Sequence, residues 1–113
     1  MTMLRAVSLS KIMSDHKHYK LELTAEALDD FTDIIQYTIQ EWGEKQALRY
    51  KDKIDNGFQI IIANPEIGLE RSDLLPNYRA FSIEHHFVVY RLKENIITVI
   101  RILHKKMDAI HHI

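Results

Sequence analysis

The sequence contains no cysteine. That excludes a disulfide framework, a thiolate nucleophile and any cysteine-bound metal cluster, and it suits a reducing cytoplasm. Glycine occurs three times and proline twice in 113 residues, too few for a long linker or a Gly-rich phosphate loop. No apolar run approaches the roughly 18 residues of a membrane span. The segment from Met1 to Met13 carries Arg5 and Lys11 and lacks the continuous apolar stretch and small-residue cleavage site of a signal peptide. Nor is there an excess of one charge: the net value is −1, which does not fit a general nucleic-acid binder. That balance hides an asymmetry. Residues 22–70 hold eleven acids and four bases, whereas residues 71–113 hold seven bases and four acids. The middle of the chain is acidic, and its C-terminal part offers a surface to an acidic partner segment.

What remains is enough for one small core. Hydrophobic residues make up 46% of the chain, close to the globular average, and the length is that of a single domain. Residues 1–17 show no sustained period and are read as a flexible N-terminal extension, with Met13 as a second candidate start; residues 18–113 are read as the folded domain. Tyr19, Leu21 and Leu23 alternate with Lys20 and Glu22, as in a strand with one buried face. Thr24 then supplies a helix N-cap, and Leu28, Phe31, Ile35, Thr38, Ile39 and Trp42 recur at helical steps until Gly43 ends the run. A second helical pattern follows through Ala47, Tyr50, Ile54, Phe58, Ile61 and Ile62, and Asn64–Pro65 closes it. So short a link predicts an antiparallel helical hairpin. The stretch 65–77 reads as a loop. Strands are expected over 78–83, 87–92 and 96–103, the last nearly continuous in Ile and Val and so buried on both faces. The predicted fold is α+β, in the order β-α-α-β-β-β: a helical hairpin packed on an antiparallel sheet, with a short helix or turn after residue 105.

No strong catalytic motif is present. Seven histidines are scattered as His16, His18, the pairs His85–His86 and His111–His112, and His104. None has a liganding spacing on a firm helix, so no metal and no cofactor is expected, and the histidines are read as surface or tail residues. Arg101 stands out because it interrupts an apolar strand between Ile100 and Ile102. A guanidinium there needs either an internal partner or an open groove. Arg71 and Arg79 are less constrained. A ribonuclease site assembled from His104, Arg79, Arg101 and the Tyr90 hydroxyl is conceivable on paper, but any small sheet protein offers such a set.

Three stretches resemble a known family. The opening Leu23-Thr24-Ala25-Glu26-Ala27-Leu28-Asp29-Asp30-Phe31, the run Trp42-Gly43 with Gln46-Ala47 and Tyr50, and the run Arg101-Ile102-Leu103-His104 with Met107-Asp108 resemble the ParE branch of the RelE/ParE toxins. Asn64-Pro65, Ile67-Gly68, Arg71 and Tyr78-Arg79 fall into the same pattern, which covers about residues 19–108. The resemblance implies a toxin of a type II toxin–antitoxin system that poisons DNA gyrase by binding, without enzymatic activity. It also implies a cognate antitoxin that wraps a helix or strand tail over the toxin. By this resemblance Arg71, Arg79, Arg101, His104, Lys105, Met107 and Asp108 are the expected contacts to target or antitoxin. The stripe Leu28, Phe31, Ile35 and Trp42 is the expected antitoxin groove. The alternatives are a ribosome-dependent messenger RNA endonuclease, for which the lysine cluster of the ribonuclease branch has no clear equivalent, and an inactive antitoxin-binding member.

Overall fold

The computed structural model describes residues 18–113; the expected extension over residues 1–17 and the choice of start lie outside the described residues. Strand β1 (Lys20–Leu23) leads into helix α1 (Ala25–Trp42) and helix α2 (Glu44–Ala63). Thr24 starts α1 as expected: its Oγ1 accepts the Ala27 N–H at 3.0 Å. Gly43 has φ of 91°, a conformation open to glycine, and its N–H returns to the Ile39 carbonyl. The same residue begins α2, so a single glycine joins the two helices and forces them antiparallel.

Four further strands follow: β2 (Leu69–Glu70), β3 (Tyr78–Ile83), β4 (His86–Lys93) and β5 (Ile96–His104), then a 3-10 turn at Ala109–His111. The sheet order is β1-β5-β4-β3-β2. The α+β class and the helical hairpin agree with the sequence, but the pairing of β1 does not. β1 runs parallel to β5, so the sheet is mixed. Period-two alternation identifies the buried face of a strand and carries no information on the direction of its neighbour. The residue pattern predicts a loop where β2 forms for a related reason: Leu69 and Glu70 are both exposed and pair with Ala80 and Arg79 through the backbone ladder.

The two helices cover one sheet face. Phe31, Tyr50, Ile54, Phe58 and Ile61 pack there on Leu21, Val88, Tyr90, Ile97 and Val99, and each fully buried large side chain contributes on the order of 1.5–3 kcal/mol. The opposite face has a smaller core of Tyr78, Val89, Leu103 and Ala109, closed by Leu74 and the C-terminal turn. A bulge links the two cores. Val89 pairs with Arg101 and Tyr90 with Val99, leaving Ile100 unmatched. This extra residue changes the alternation, so that Val99 and Ile102 both belong to the helix-side core.

Tyr90 ties the loop after α2 to this core. Its hydroxyl donates to the Pro65 carbonyl at 2.7 Å and accepts the Gly68 N–H at 3.0 Å. Gly68 is needed at this approach, since a Cβ would lie 2.7 Å from the Tyr90 oxygen and 3.0 Å from the Ala80 carbonyl oxygen. Tyr90→Phe is therefore expected to cost about 2 kcal/mol, because it leaves a buried donor and acceptor without a partner. Urea denaturation checks this; an unchanged midpoint would show that the loop closes without the hydroxyl.

Candidate functional site

β5 outruns its parallel neighbour. β1 stops at Leu23 opposite Val99, and beyond that point side chains from the first turns of α1 take over the open edge. Thr24 Oγ1 donates to the Ile100 carbonyl at 2.8 Å, and Asp30 Oδ2 accepts the Ile102 N–H at 3.0 Å. Asp30 also holds Arg101 in a two-point pair, with Nε to Oδ2 at 2.6 Å and Nη2 to Oδ1 at 2.9 Å. The remaining nitrogen, Nη1, donates to the His112 carbonyl at 2.9 Å. Both side chains are largely buried, at 23% and 14% exposure. The Asp30 bond raises the pKa of Arg101 further. Arg101 is thus a clamp joining sheet, helix and C-terminus. All three of its guanidinium nitrogens meet internal partners, as its place in an apolar strand required.

Beside this clamp lies an open groove of about 670 Å³, lined by α1, the start of α2 and the β3–β4 turn. Its floor is polar. The Tyr50 hydroxyl lies 2.6 Å from His86 Nδ1 and donates to the Ile83 carbonyl at 3.2 Å. The His86 ring in turn meets His104 edge-on, with centroids 5.2 Å apart. Burial, then the neighbouring His104 and His85, pushes His86 down to about 4, so the ring is neutral at pH 7. Burial likewise pushes the Tyr50 hydroxyl up. The walls are aromatic and acidic: Tyr37 and Trp42 stand 61% and 72% exposed, with Asp33 on the rim.

The structure separates the other expected contacts into two groups. Some are occupied. Arg79 donates to the Glu66 and Gly68 carbonyls at 3.0 and 2.7 Å and holds the loop rather than facing outward. Arg71 pairs with Asp73, which raises the arginine pKa and lowers that of the carboxylate. Asp108 caps the C-terminal turn through the Ile110 N–H. Others stay open: Lys105 and Met107 are exposed, and His104 borders the groove. Of the expected antitoxin stripe, Leu28 and Trp42 are exposed and Ile35 is half-buried, but Phe31 lies in the core and presents no surface. Of the assembled ribonuclease set, Arg79 and Tyr90 are cross-strand neighbours, but both, like Arg101, are tied to internal partners. Among the described residues no group of three or more His, Asp or Glu is placed to hold a metal ion, and no helix is long and apolar enough to cross a membrane.

Sequence reasoning missed Tyr50, His86, Tyr37 and Asp33 as groove residues. His86 was read as a surface residue beside a strand turn. The signal for it was the reach of β4, which begins at His86 itself and seats that ring opposite His104.

Two helices on one face of a mixed sheet, with an open groove at their edge, define a small α+β domain with a binding surface beside its helical hairpin. Residues 21–109 match the family described as the ParE toxin of the type II toxin-antitoxin system, parDE, and the chain belongs to that family. It is similar to Toxin ParE of Escherichia coli, with 40% identity over 88 residues, covering 76% of this chain and 84% of that protein. It is also similar to Toxin ParE1 of Caulobacter vibrioides, with 33% identity over 97 residues, covering 86% and 98%. In fold it resembles a chain of the chromosomal ParDE system from P. aeruginosa, with a TM-score of 0.66 and 22% identity, covering 76% of this chain and 95% of that one.

Proposed function

We propose that this toxin arrests growth in the cytoplasm by binding DNA gyrase, without catalysis of its own, and that a cognate antitoxin neutralises it by covering the groove beside α1. The observation that carries the binding reading is the commitment of the candidate catalytic groups. Arg101 is held by Asp30, Arg79 by two loop carbonyls, and Tyr90 by Pro65 and Gly68. Phosphoryl chemistry needs cations free to meet developing charge, and these are engaged elsewhere. The groups left for target contact are the exposed Lys105 and Met107 just after β5 and the half-buried His104 at its end. For the antitoxin, Trp42, Tyr37 and Leu28 offer apolar area to a segment that folds as it binds.

Incubating purified gyrase with the toxin and ATP tests the target. Supercoiling should be inhibited or cleaved DNA trapped, and prior addition of antitoxin should restore activity. Unimpaired supercoiling at high toxin excess, together with cleavage of transcripts on ribosomes, would overturn the proposal.

A further inference from the structure

The groove rim has a charge pattern that narrows what covers it. Helix α1 carries five carboxylates, Glu26, Asp29, Asp30, Asp33 and Glu41, and no lysine, arginine or histidine. Asp30 is neutralised by Arg101. Asp29, Asp33, Tyr37 and Glu41 recur at four-residue steps and so form one row along the helix surface; Asp33 and Tyr37 line the groove, and Asp29 and Glu41 extend the row at either end. All four are exposed, and the three carboxylates have no ion pair or hydrogen bond among the described residues. Like charges at this spacing destabilise a helix, and Glu41 lies near the C-terminus of α1, where the helix dipole disfavours an anion. A cation laid along the row would relieve both effects.

We infer that the groove receives a basic amphipathic helix of the antitoxin. Its apolar face packs on Trp42 and Ile34, and its lysines or arginines, spaced one helical turn apart, run along Asp33, Tyr37 and Glu41. The inference rests on the antitoxin reading above and adds the chemistry of the segment. The exposed Tyr37 and Trp42 rings give the same cations a second attraction through their faces. A second copy of this chain would bring an identical acidic row against the first, and a nucleic-acid backbone would be repelled, so both fit the rim poorly.

The test uses the full-length toxin and, as probe, the full-length antitoxin encoded beside it, with affinity measured by calorimetry at low and high salt. The variants are D33K/E41K and the neutral pair D33N/E41Q, with circular dichroism as a check of fold. Wild-type toxin should bind, and added salt should weaken that binding. The charge-reversed variant should lose roughly tenfold or more in affinity together with its salt dependence, and the neutral pair should fall between. If D33K/E41K does not fold, the neutral pair alone decides by the same comparison. Antitoxin bound equally well by wild type and folded variants would overturn the inference and leave the antitoxin reading standing. No binding by wild type would overturn both. A dimer of the chain that Trp42→Ala dissolves would assign the groove to a second copy and also overturn it.

Discussion

Asp30→Ala is expected to be among the most damaging substitutions in this domain, at about 3 kcal/mol and roughly 10 °C or more in Tm. Asp30 gathers two guanidinium bonds from Arg101 and the backbone N–H of Ile102 at a carboxylate only 14% exposed. Removing it strands a cation and a backbone donor where β1 no longer covers β5, and it frees Arg101 from the contact that positions it on the His112 carbonyl. Asp30→Asn should be milder, since its carbonyl oxygen can still accept from Ile102. Replacing both partners, as Asp30→Ala with Arg101→Met, should cost less than the sum of the two single changes, because no unpaired charge remains. Thermal denaturation of the four proteins measures this; an Asp30→Ala variant within about 0.5 kcal/mol of wild type would refute the clamp. An Arg101 variant is expected to loosen the fold, so its growth arrest is to be compared at matched stability with that of variants at the exposed Lys105 and Met107.

The second large effect is a loss of stability as pH falls from about 6.5 to about 4, traced to His86. The ring is held at about 4 in the folded chain, below the ordinary 6.5, chiefly by burial. Over that interval the unfolded chain takes up a proton that the folded chain refuses, so acidification favours unfolding; below about 4 both forms are protonated and the effect levels off. At about 1.4 kcal/mol per pH unit of separation, and with solvent screening of this half-buried ring taken into account, the contribution is about 1–2 kcal/mol. The groups facing His86 are Tyr50 from α2, Asp30 from α1, Glu84 and His85 from the turn, and His104 from β5. Asp73 and Glu84, whose pKa values are lowered by Arg71 and Lys53, also lose stabilising interactions as pH falls through their folded-state pKa values. The measurement is therefore a difference. Urea midpoints of wild type and His86→Phe are compared across this range, and Tyr50 retains the Ile83 carbonyl in the variant. The variant should have the flatter profile. Parallel profiles would show that His86 titrates freely.

Much of the domain was legible from residue pattern. Thr24, Gly43 and Asn64–Pro65 mark helix boundaries that the structure keeps, because capping and proline sterics act over a few residues. β3 runs over the expected residues, and its alternation sends Phe81 and Ile83 to the helix-side core and Tyr78 to the opposite face. The family, too, was legible in the runs around Trp42–Gly43 and Arg101–His104, and the match over residues 21–109 agrees. The site was legible only in part. Arg101 was singled out because a guanidinium in an apolar strand is costly, yet the pattern could not say whether its partner would be internal or external. Phe31 and Trp42 share one apolar stripe, but one lies in the core and the other stands 72% exposed, because α2 and the sheet shield only part of that stripe.

The sequence by itself determined the two helices, the three longer strands of the meander and the family, since each rests on local steric preference, periodic burial or a contiguous motif. Tertiary structure alone decided the parallel seat of β1 on β5, the pairing of Asp30 with Arg101 across 71 residues, and the meeting of Tyr50, His86 and His104 in one groove. Those are contacts between distant segments. Their energies depend on direction, distance and exclusion of water, which no spacing along the chain encodes.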